Sequence, residues 1–209
     1  MKTILLMLVF SFNLAIAADY ESGMQKGLEM FNKAKSVEET MEVTNYFDRI
    51  ASAFSNEWLP LYYAAYGCLR TGFQQESADK KDEWYQKGLA YLERCRDLKS
   101  DESELLSMKA YLKLMYISNK PMVRAPSQTE EAQEMLEKAK KLNPSNPRPW
   151  FVQGQNTLFT PKFFGGGSEN AKPLLEKAYA LYNSFEPADA LMPDWGREHC
   201  KALLDKCKE

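Results

Sequence analysis

The sequence is poor in the side chains from which catalytic and metal sites are usually built. Among its 209 residues there is one histidine, His199, and there are four cysteines without a Cys-x-x-Cys pair. A Ser-His-Asp triad, a cysteine–histidine pair or a zinc site needs more of these residues at suitable spacing. We therefore expect no catalytic, cofactor-binding or metal-binding residues, and we do not expect an enzyme.

The chain also lacks an excess of charge of either sign. Its 27 basic and 29 acidic residues give a formal net charge of −2 at pH 7. Nucleic-acid-binding proteins usually carry a basic excess, so we do not expect a nucleic-acid partner. Hydrophobic residues make up 44% of the chain and aromatic residues 12%. This composition excludes a disordered chain and predicts a sizeable core.

Long hydrophobic runs are confined to the N-terminus. Lys2 is followed by an apolar run over residues 4–14 and by the small-x-small sequence at residues 15–17. These features are typical of a cleaved signal peptide, here residues 1–17, and the run is too short for a membrane span. No cysteine follows the cleavage point, so we predict a periplasmic or secreted bacterial protein without a lipid anchor. Its folded domain is residues 18–209, and we expect no membrane span in it.

An exported protein can form disulfides, so the cysteines need an interpretation. Cys200 and Cys207 lie seven residues apart on a predicted helix. At about 1.5 Å per residue they are about 10 Å apart, too far for a disulfide bond. The apolar patterns place Cys68 and Cys95 at different heights on neighbouring helices. We favour four buried, unpaired cysteines over any disulfide.

From Tyr20 onward, apolar residues recur with the period of a helix, and no segment alternates like a strand. Asn143-Pro144 ends one predicted helix, and Pro147 opens the next. Short links between the helices predict an all-α fold, either a solenoid or a bundle. The predicted helices cover residues 20–36, 38–54, 57–71, 80–98, 102–118, 129–142, 147–159, 168–185 and 194–207.

Internal repetition favours the solenoid. The pattern small-x3-large-x2-small at residues 132–139 recurs at residues 171–178. Small residues at its ends let two helices approach closely, and the large residue fills the gap between them. The first residue of each such unit lies 22 positions before a packing residue in the following helix, and this separation is constant. The three instances are Val43 to Ala65, Gly88 to Ala110, and Ala132 to Gly154.

These units resemble the tetratricopeptide repeat, whose first helix carries Trp-x2-Leu-Gly-x2-Tyr. Trp150 and Gly154 match that helix, whereas Gln153 and Thr157 replace its Leu and Tyr. The resemblance implies an α-solenoid of about four helix pairs followed by a C-terminal capping helix. The implied repeats lie near residues 24–57, 58–102, 103–146 and 147–185, and the cap covers residues 188–208.

In tetratricopeptide proteins the first helix of each pair lines a concave groove that binds a protein or peptide. The resemblance therefore implies an exported, non-catalytic scaffold or adaptor with a protein or peptide partner in the cell envelope. For each aromatic residue of the groove considered alone, packing between repeats explains its presence as well as ligand contact does. The predicted partner-binding residues, from the groove and the loop rim, are Tyr62, Tyr66, Tyr111, Arg148, Phe151, Gln155, Phe163 and Phe164.

The alternative is a periplasmic protein that captures a small ligand or assists its transport. Relative to a 34-residue repeat, the extra residues lie within helix pairs, and we predict enlarged loops at 71–83, 118–130 and 160–170 on one rim. In this alternative, the loops fold over a small-molecule pocket. A deep cavity beneath residues 160–170 would favour it, and an open groove would count against it.

Overall fold

The computed structural model describes residues 19–208. The predicted signal peptide, residues 1–17, lies outside the described residues. Within residues 19–208 the chain forms nine α-helices and a short 3-10 helix, Lys162–Phe164, and it forms no strand. The predicted all-α fold is confirmed. The α-helices are α1 (19–33), α2 (Val37–Ala53), α3 (Leu59–Gln74), α4 (Ala78–Glu93), α5 (Glu102–Asn119), α6 (Pro121–Leu142), α7 (Arg148–Phe159), α8 (Ser168–Ser184) and α9 (Arg197–Lys206).

The helices pack in chain order, as in an α-solenoid. The most extensive contacts join α2 with α3, α3 with α4, α5 with α6, and α7 with α8. Further contacts run from α3 to α5, from α5 to α7 and from α7 to α9. Helices α3, α5, α7 and α9 therefore form one continuous stack, of which α9 is the last member. The repeat bounds near 24–57, 58–102, 103–146 and 147–185 stay a prediction.

The small residues of the repeat pattern lie where the helices approach most closely. Ala132 and Ala171 have no exposed surface. A Cβ atom added at Gly154 would lie 2.8 Å from the side chain of Leu175, and one at Gly88 would lie 2.9 Å from Leu112. These distances are too short for a relaxed contact, so glycine at both positions allows the helices to pack at their present separation.

Two of the predicted enlarged loops are helical instead. Helix α3 continues to Gln74 and α4 begins at Ala78, while α6 begins at Pro121 and includes Pro126. Proline is well tolerated in the first turn of a helix, where its missing N–H is not needed. Pro121 therefore opens α6, whereas Pro126 lies inside the helix, and neither proline marks a loop.

A buried ion pair fixes the start of α6 on α4. The Arg124 guanidinium donates to both carboxylate oxygens of Asp82, at 2.8 and 2.5 Å, and to the backbone oxygen of Tyr116. Asn119 also donates to Asp82, at 2.8 Å. These donors, Arg124 first, lower the pKa of Asp82 to about 2.

We expect Asp82→Asn to lower the free energy of unfolding at pH 7 by about 1–3 kcal/mol, because it removes a charge-assisted pair. The folded-state pKa of Asp82 lies below its unfolded value of about 3.9, so its contribution is present above that pH. As the pH falls from about 4 towards 2, the difference between wild type and variant should disappear. Urea unfolding at several pH values measures it.

The matched control is Asp79→Asn, which removes the exposed carboxylate that accepts a hydrogen bond from Lys120. An exposed pair contributes little, so we expect a change below about 0.5 kcal/mol at every pH. A loss in Asp82→Asn that is equally large at pH 7 and near pH 2 would contradict the assignment of the effect to the ionised carboxylate.

Candidate functional site

The C-terminal segment, residues 185–196, lies between α8 and α9 without helical structure. It covers the first helices of the helix pairs, α3, α5 and α7. Tyr63 in α3 donates its hydroxyl hydrogen bond to the backbone oxygen of Leu191, at 2.7 Å. Arg148, the first residue of α7, donates to the backbone oxygen of Pro193. The segment therefore occupies the face on which a groove was predicted.

Trp195 anchors this segment among aromatic rings of three helices. Its ring stacks on Tyr66 at 5.2 Å between centroids and 18° between planes, and on Tyr111 at 6.1 Å and 26°. The rings of Trp195 and Phe151 meet in a T-shaped arrangement, with 6.3 Å between their centroids. The indole N–H donates to the hydroxyl of Tyr62, at 3.0 Å. Stacking and a satisfied N–H together hold the indole in one place.

Beneath Trp195 lies a buried polar network. Arg148 donates to the Glu104 carboxylate at 2.9 Å, and the Tyr62 hydroxyl donates to the same carboxylate at 2.9 Å. Burial holds the pKa of Glu104 above its ordinary value, although Arg148 acts in the opposite direction. The guanidinium also lies against the rings of Phe185 and Trp195, at 4.8 and 5.2 Å. The network thus joins α3, α5 and α7 to the C-terminal segment.

A cleft remains between α1, α3, the C-terminal segment and the start of α9. Its volume is about 620 Å³, within the range typical of small-molecule sites. Its walls are of mixed character: five aromatic rings, two arginines, two acidic residues, and a methionine and a histidine able to bind a metal. The lining side chains that carry this chemistry are Phe31, Tyr63, Tyr66, Phe185, Trp195, Arg70, Arg197, Asp194, Glu198, Met192 and His199.

The two arginines at the cleft are held differently. Arg70 donates to the backbone oxygens of Phe31 and Ala34 at the end of α1, at 3.0 and 3.2 Å. Its guanidinium therefore has a structural role, since it links α3 to the end of α1. Arg197 is exposed at the first position of α9 and donates one hydrogen bond, to the backbone oxygen of Tyr182. Its remaining N–H groups make Arg197 the better candidate to bind an anionic group of a ligand.

His199 lies on the same turn of α9 as Arg197. Its ring is 5.3 Å from that of Phe151, and part of the imidazole is exposed at the cleft. Partial burial, followed by the charge of Lys206, lowers the pKa of His199 below its ordinary value. The lowered pKa favours the neutral imidazole, which has a lone pair. Among the described residues, no group of three His, Cys, Asp or Glu side chains could hold a bare metal ion.

The sequence-predicted site residues are not brought together at this cleft. Only Tyr66 lines it. The hydroxyl of Tyr111 donates to Gln155, at 2.8 Å, inside the core. A partner-binding role for the predicted residues has not been tested and stays a prediction. Those whose side chains are buried in the described fold are Tyr62, Tyr111, Arg148, Phe151 and Gln155.

Phe163 and Phe164 lie elsewhere, in the turn between α7 and α8. They are 92% and 70% exposed and contact each other at 5.2 Å between centroids. The turn is well defined, since Gly165 and Gly167 adopt positive φ angles of 78° and 94°, and Gly167 donates to the backbone oxygen of Thr157. These two rings are displayed on the surface, and neither lines the cleft between α1, α3 and the C-terminal segment.

Sequence reasoning did not identify Tyr63, Met192, Trp195, Arg197 and His199 as site residues. The available signal was the break in helical periodicity over residues 185–196. This segment contains two prolines, followed by the Trp-Gly pair that precedes α9. Such a segment cannot be placed without knowing which surface it covers.

The chain is similar to a solved structure described as the HusA haemophore from Porphyromonas gingivalis. The two share 28% sequence identity with a TM-score of 0.80, over 90% of this chain and 92% of that one. No protein-family model matches the chain. No curated protein matches it significantly.

This likeness contradicts the predicted protein- or peptide-binding scaffold and favours the alternative, capture of a small ligand. The physical reason lies in the C-terminal segment, which covers the face where a peptide was expected to bind. A helical repeat-like all-α protein is confirmed, whereas membership of the tetratricopeptide family is not. None of the helices in residues 19–208 combines the length and hydrophobicity of a membrane span.

Proposed function

We propose that this protein captures haem in the cleft between α1, α3 and the C-terminal segment. The observation that carries the proposal is the likeness, over nine-tenths of the chain, to a protein described as a haemophore. The same likeness supports a secreted protein with a small-molecule partner. The proposed activity is binding and release, with no chemical change in the ligand.

The chemistry of the cleft supports this ligand. Haem is a flat, largely apolar macrocycle that carries two carboxylates and an iron ion. Flat apolar faces pack well on aromatic rings. Phe31, Tyr63 and Phe185 line the cleft beside the stacked pair of Tyr66 and Trp195. Guanidinium groups bind carboxylates with paired hydrogen bonds, and Arg197 is exposed at the cleft edge. Asp194 and Glu198 lie at the same edge, so the two arginines and two carboxylates of the lining balance each other in formal charge.

A haemin titration tests the proposal. We expect saturable binding at one site, seen as a shift of the haem absorption band and as quenching of tryptophan fluorescence, because Trp195 forms a wall of the cleft. Arg197→Gln should weaken binding by about three- to tenfold, since it removes one charge-assisted contact with a carboxylate. Metal-free protoporphyrin IX, titrated in parallel, reports binding of the macrocycle alone.

Arg96→Gln is the matched control. Arg96 is an exposed arginine that pairs with Glu93 at the end of α4, away from the cleft. We expect its affinity for haemin to equal that of the wild type. The proposal fails if neither porphyrin binds in a saturable way. The assignment to this cleft fails if Arg197→Gln and Arg96→Gln bind haemin equally well.

A further inference from the structure

The large hydrophobic side chains that stay exposed are concentrated at two turns of the stack, α5–α6 and α7–α8. Seven such side chains are exposed among residues 19–208, and five of them lie at these turns, between 65% and 92% exposed. We call these five the apolar rim. They are Met122 and Val123 at the start of α6, Phe159 at the end of α7, and Phe163 and Phe164 in the turn that follows.

The two turns lie on the same edge of the stack, because α5 and α7 run parallel and in register. Arg148 of α7 contacts Glu104 of α5, 44 residues earlier, and Gln155 contacts Tyr111, again 44 residues earlier. Continued to the end of α5, this offset sets Asn119 level with the turn after α7. Packed helices lie about 8–10 Å apart, so the side chains of both turns can contact one surface.

The α7–α8 turn holds its two phenylalanines in place through its backbone. The N–H groups of Gly166 and Gly167 donate to the backbone oxygens of Pro161 and Thr157, at 3.2 and 2.9 Å. A Cβ atom at Gly166 would collide with the backbone oxygen of Thr160, so the turn requires glycine there. The turn therefore presents its largest side chains to solvent in a fixed position.

The charge at these two turns is basic. Residues 105–129 and 138–168, which contain the turns, include lysines and arginines but not one aspartate or glutamate. Lys120 and Lys162 are exposed beside the apolar rim. Phenylalanine and lysine together are typical of protein surfaces that lie in the interface of an anionic membrane, where the ring leaves water and the amine meets phosphate.

We propose that the apolar rim docks on an anionic lipid bilayer, with Phe163 and Phe164 inserted among the headgroups and Lys162 facing their phosphates. A specific protein partner buries about 800 Å² of each surface, fitted to matching pockets, whereas these rings project from narrow turns. A fluid interface accepts such rings without a complementary shape. Nearby carboxylates, Asp79 beside Lys120 and Glu169 in α8, offset part of the positive charge, so insertion of the rings should dominate the affinity.

Co-sedimentation with vesicles of phosphatidylcholine and phosphatidylglycerol tests this docking. All variants carry the same N-terminus, so residues 1–18 contribute equally to each. We expect wild type to bind saturably, and the double variant Phe163→Ser with Phe164→Ser should lose at least about tenfold in affinity, because two rings no longer leave water. The matched control is Leu142→Ser, which removes an exposed leucine at the opposite end of α6 and should bind like wild type.

Two further variants measure charge and depth separately. Lys162→Gln should weaken binding to these vesicles by up to about fivefold, and its affinity for vesicles of phosphatidylcholine alone should equal that of wild type. Phe164→Trp places an indole in the apolar rim. Its fluorescence should be quenched by lipids with brominated acyl chains to a greater extent than that of the native tryptophans.

The apolar rim is separate from the haem cleft, so the two sites can be judged independently. Lipid docking is overturned if wild type does not bind anionic vesicles, or if the double phenylalanine variant binds them as tightly as wild type. It is also overturned if neither binds vesicles and sedimentation velocity shows a wild-type dimer that the double variant cannot form, since the rim then joins two copies. Unchanged circular dichroism and haemin affinity of the double variant would show that its fold and cleft are intact.

Discussion

Replacing Arg148 by Met is expected to lower the free energy of unfolding by about 3–5 kcal/mol, because it leaves Glu104 as an unpaired buried carboxylate. Arg148 has no exposed surface, and Glu104 is 3% exposed. The substitution also removes the hydrogen bond to Pro193 and the packing of the guanidinium on Phe185 and Trp195. Urea unfolding, followed by circular dichroism, measures the loss.

The matched variant is Arg148→Met combined with Glu104→Gln. The neutral amide still accepts the hydrogen bond from Tyr62 but no longer requires a counter-charge, so we expect about 2 kcal/mol to be recovered. A loss below about 1 kcal/mol in Arg148→Met alone would show that the pair is not essential to the fold. Equal stability of the single and double variants would show that the unpaired charge is not the cause.

Replacing Trp195 by Ala should lower both stability and ligand capture, and its effect on ligand capture should be the largest of the variants described. The indole stacks on Tyr66 and Tyr111 and closes one wall of the cleft. We expect the free energy of unfolding to fall by about 3 kcal/mol, the usual range for truncating a large packed aromatic ring. Saturable haemin binding should be lost, because the wall of the site is removed. Urea unfolding and the haemin titration measure the two effects.

Two further variants distinguish the contributions. Trp195→Phe keeps a stacking ring but loses the hydrogen bond to Tyr62, so we expect a loss of about 1 kcal/mol with haemin binding retained. Trp84→Ala removes a partly buried indole of α4 that packs with Lys87 and does not line the cleft. It should lower stability without changing haemin affinity. Unchanged binding in Trp195→Ala would place the ligand outside this cleft.

The helices and their stacking could be predicted from the sequence because they depend on local patterns. Ala132, Leu136, Ala171 and Leu175 recur at helical spacing, and all four have no exposed surface. The N-cap at Ser36 was also predictable, since its hydroxyl accepts the amide of Glu39 while the Glu39 carboxylate accepts the amide of Ser36, both at 3.1 Å. The helical spacing and the cap join residues only a few positions apart, and the stacking follows from the regular separation of 22 residues between neighbouring helices.

The candidate site could not be predicted because it depends on contacts between distant residues. Trp195 and Tyr62 are separated by 133 positions, and Leu191 and Tyr63 by 128. No periodic pattern records such a contact. Tyr62 and Tyr111 were identified as residues of the first helices, but only the structure shows that the C-terminal segment covers them. The missing information was therefore which surface an irregular segment would occupy.

The reach of the C-terminal segment has a consequence for folding. A linear repeat array contacts only its neighbours, so its parts can form and unravel separately. Here residues 191–195 bind side chains of α3, α5 and α7, which joins the end of the chain to its first half. The helix pairs can form from short-range contacts, whereas this closure must wait for a long loop to be ordered. We therefore expect the segment to dock last on folding, and the closed array to unfold in a single cooperative transition.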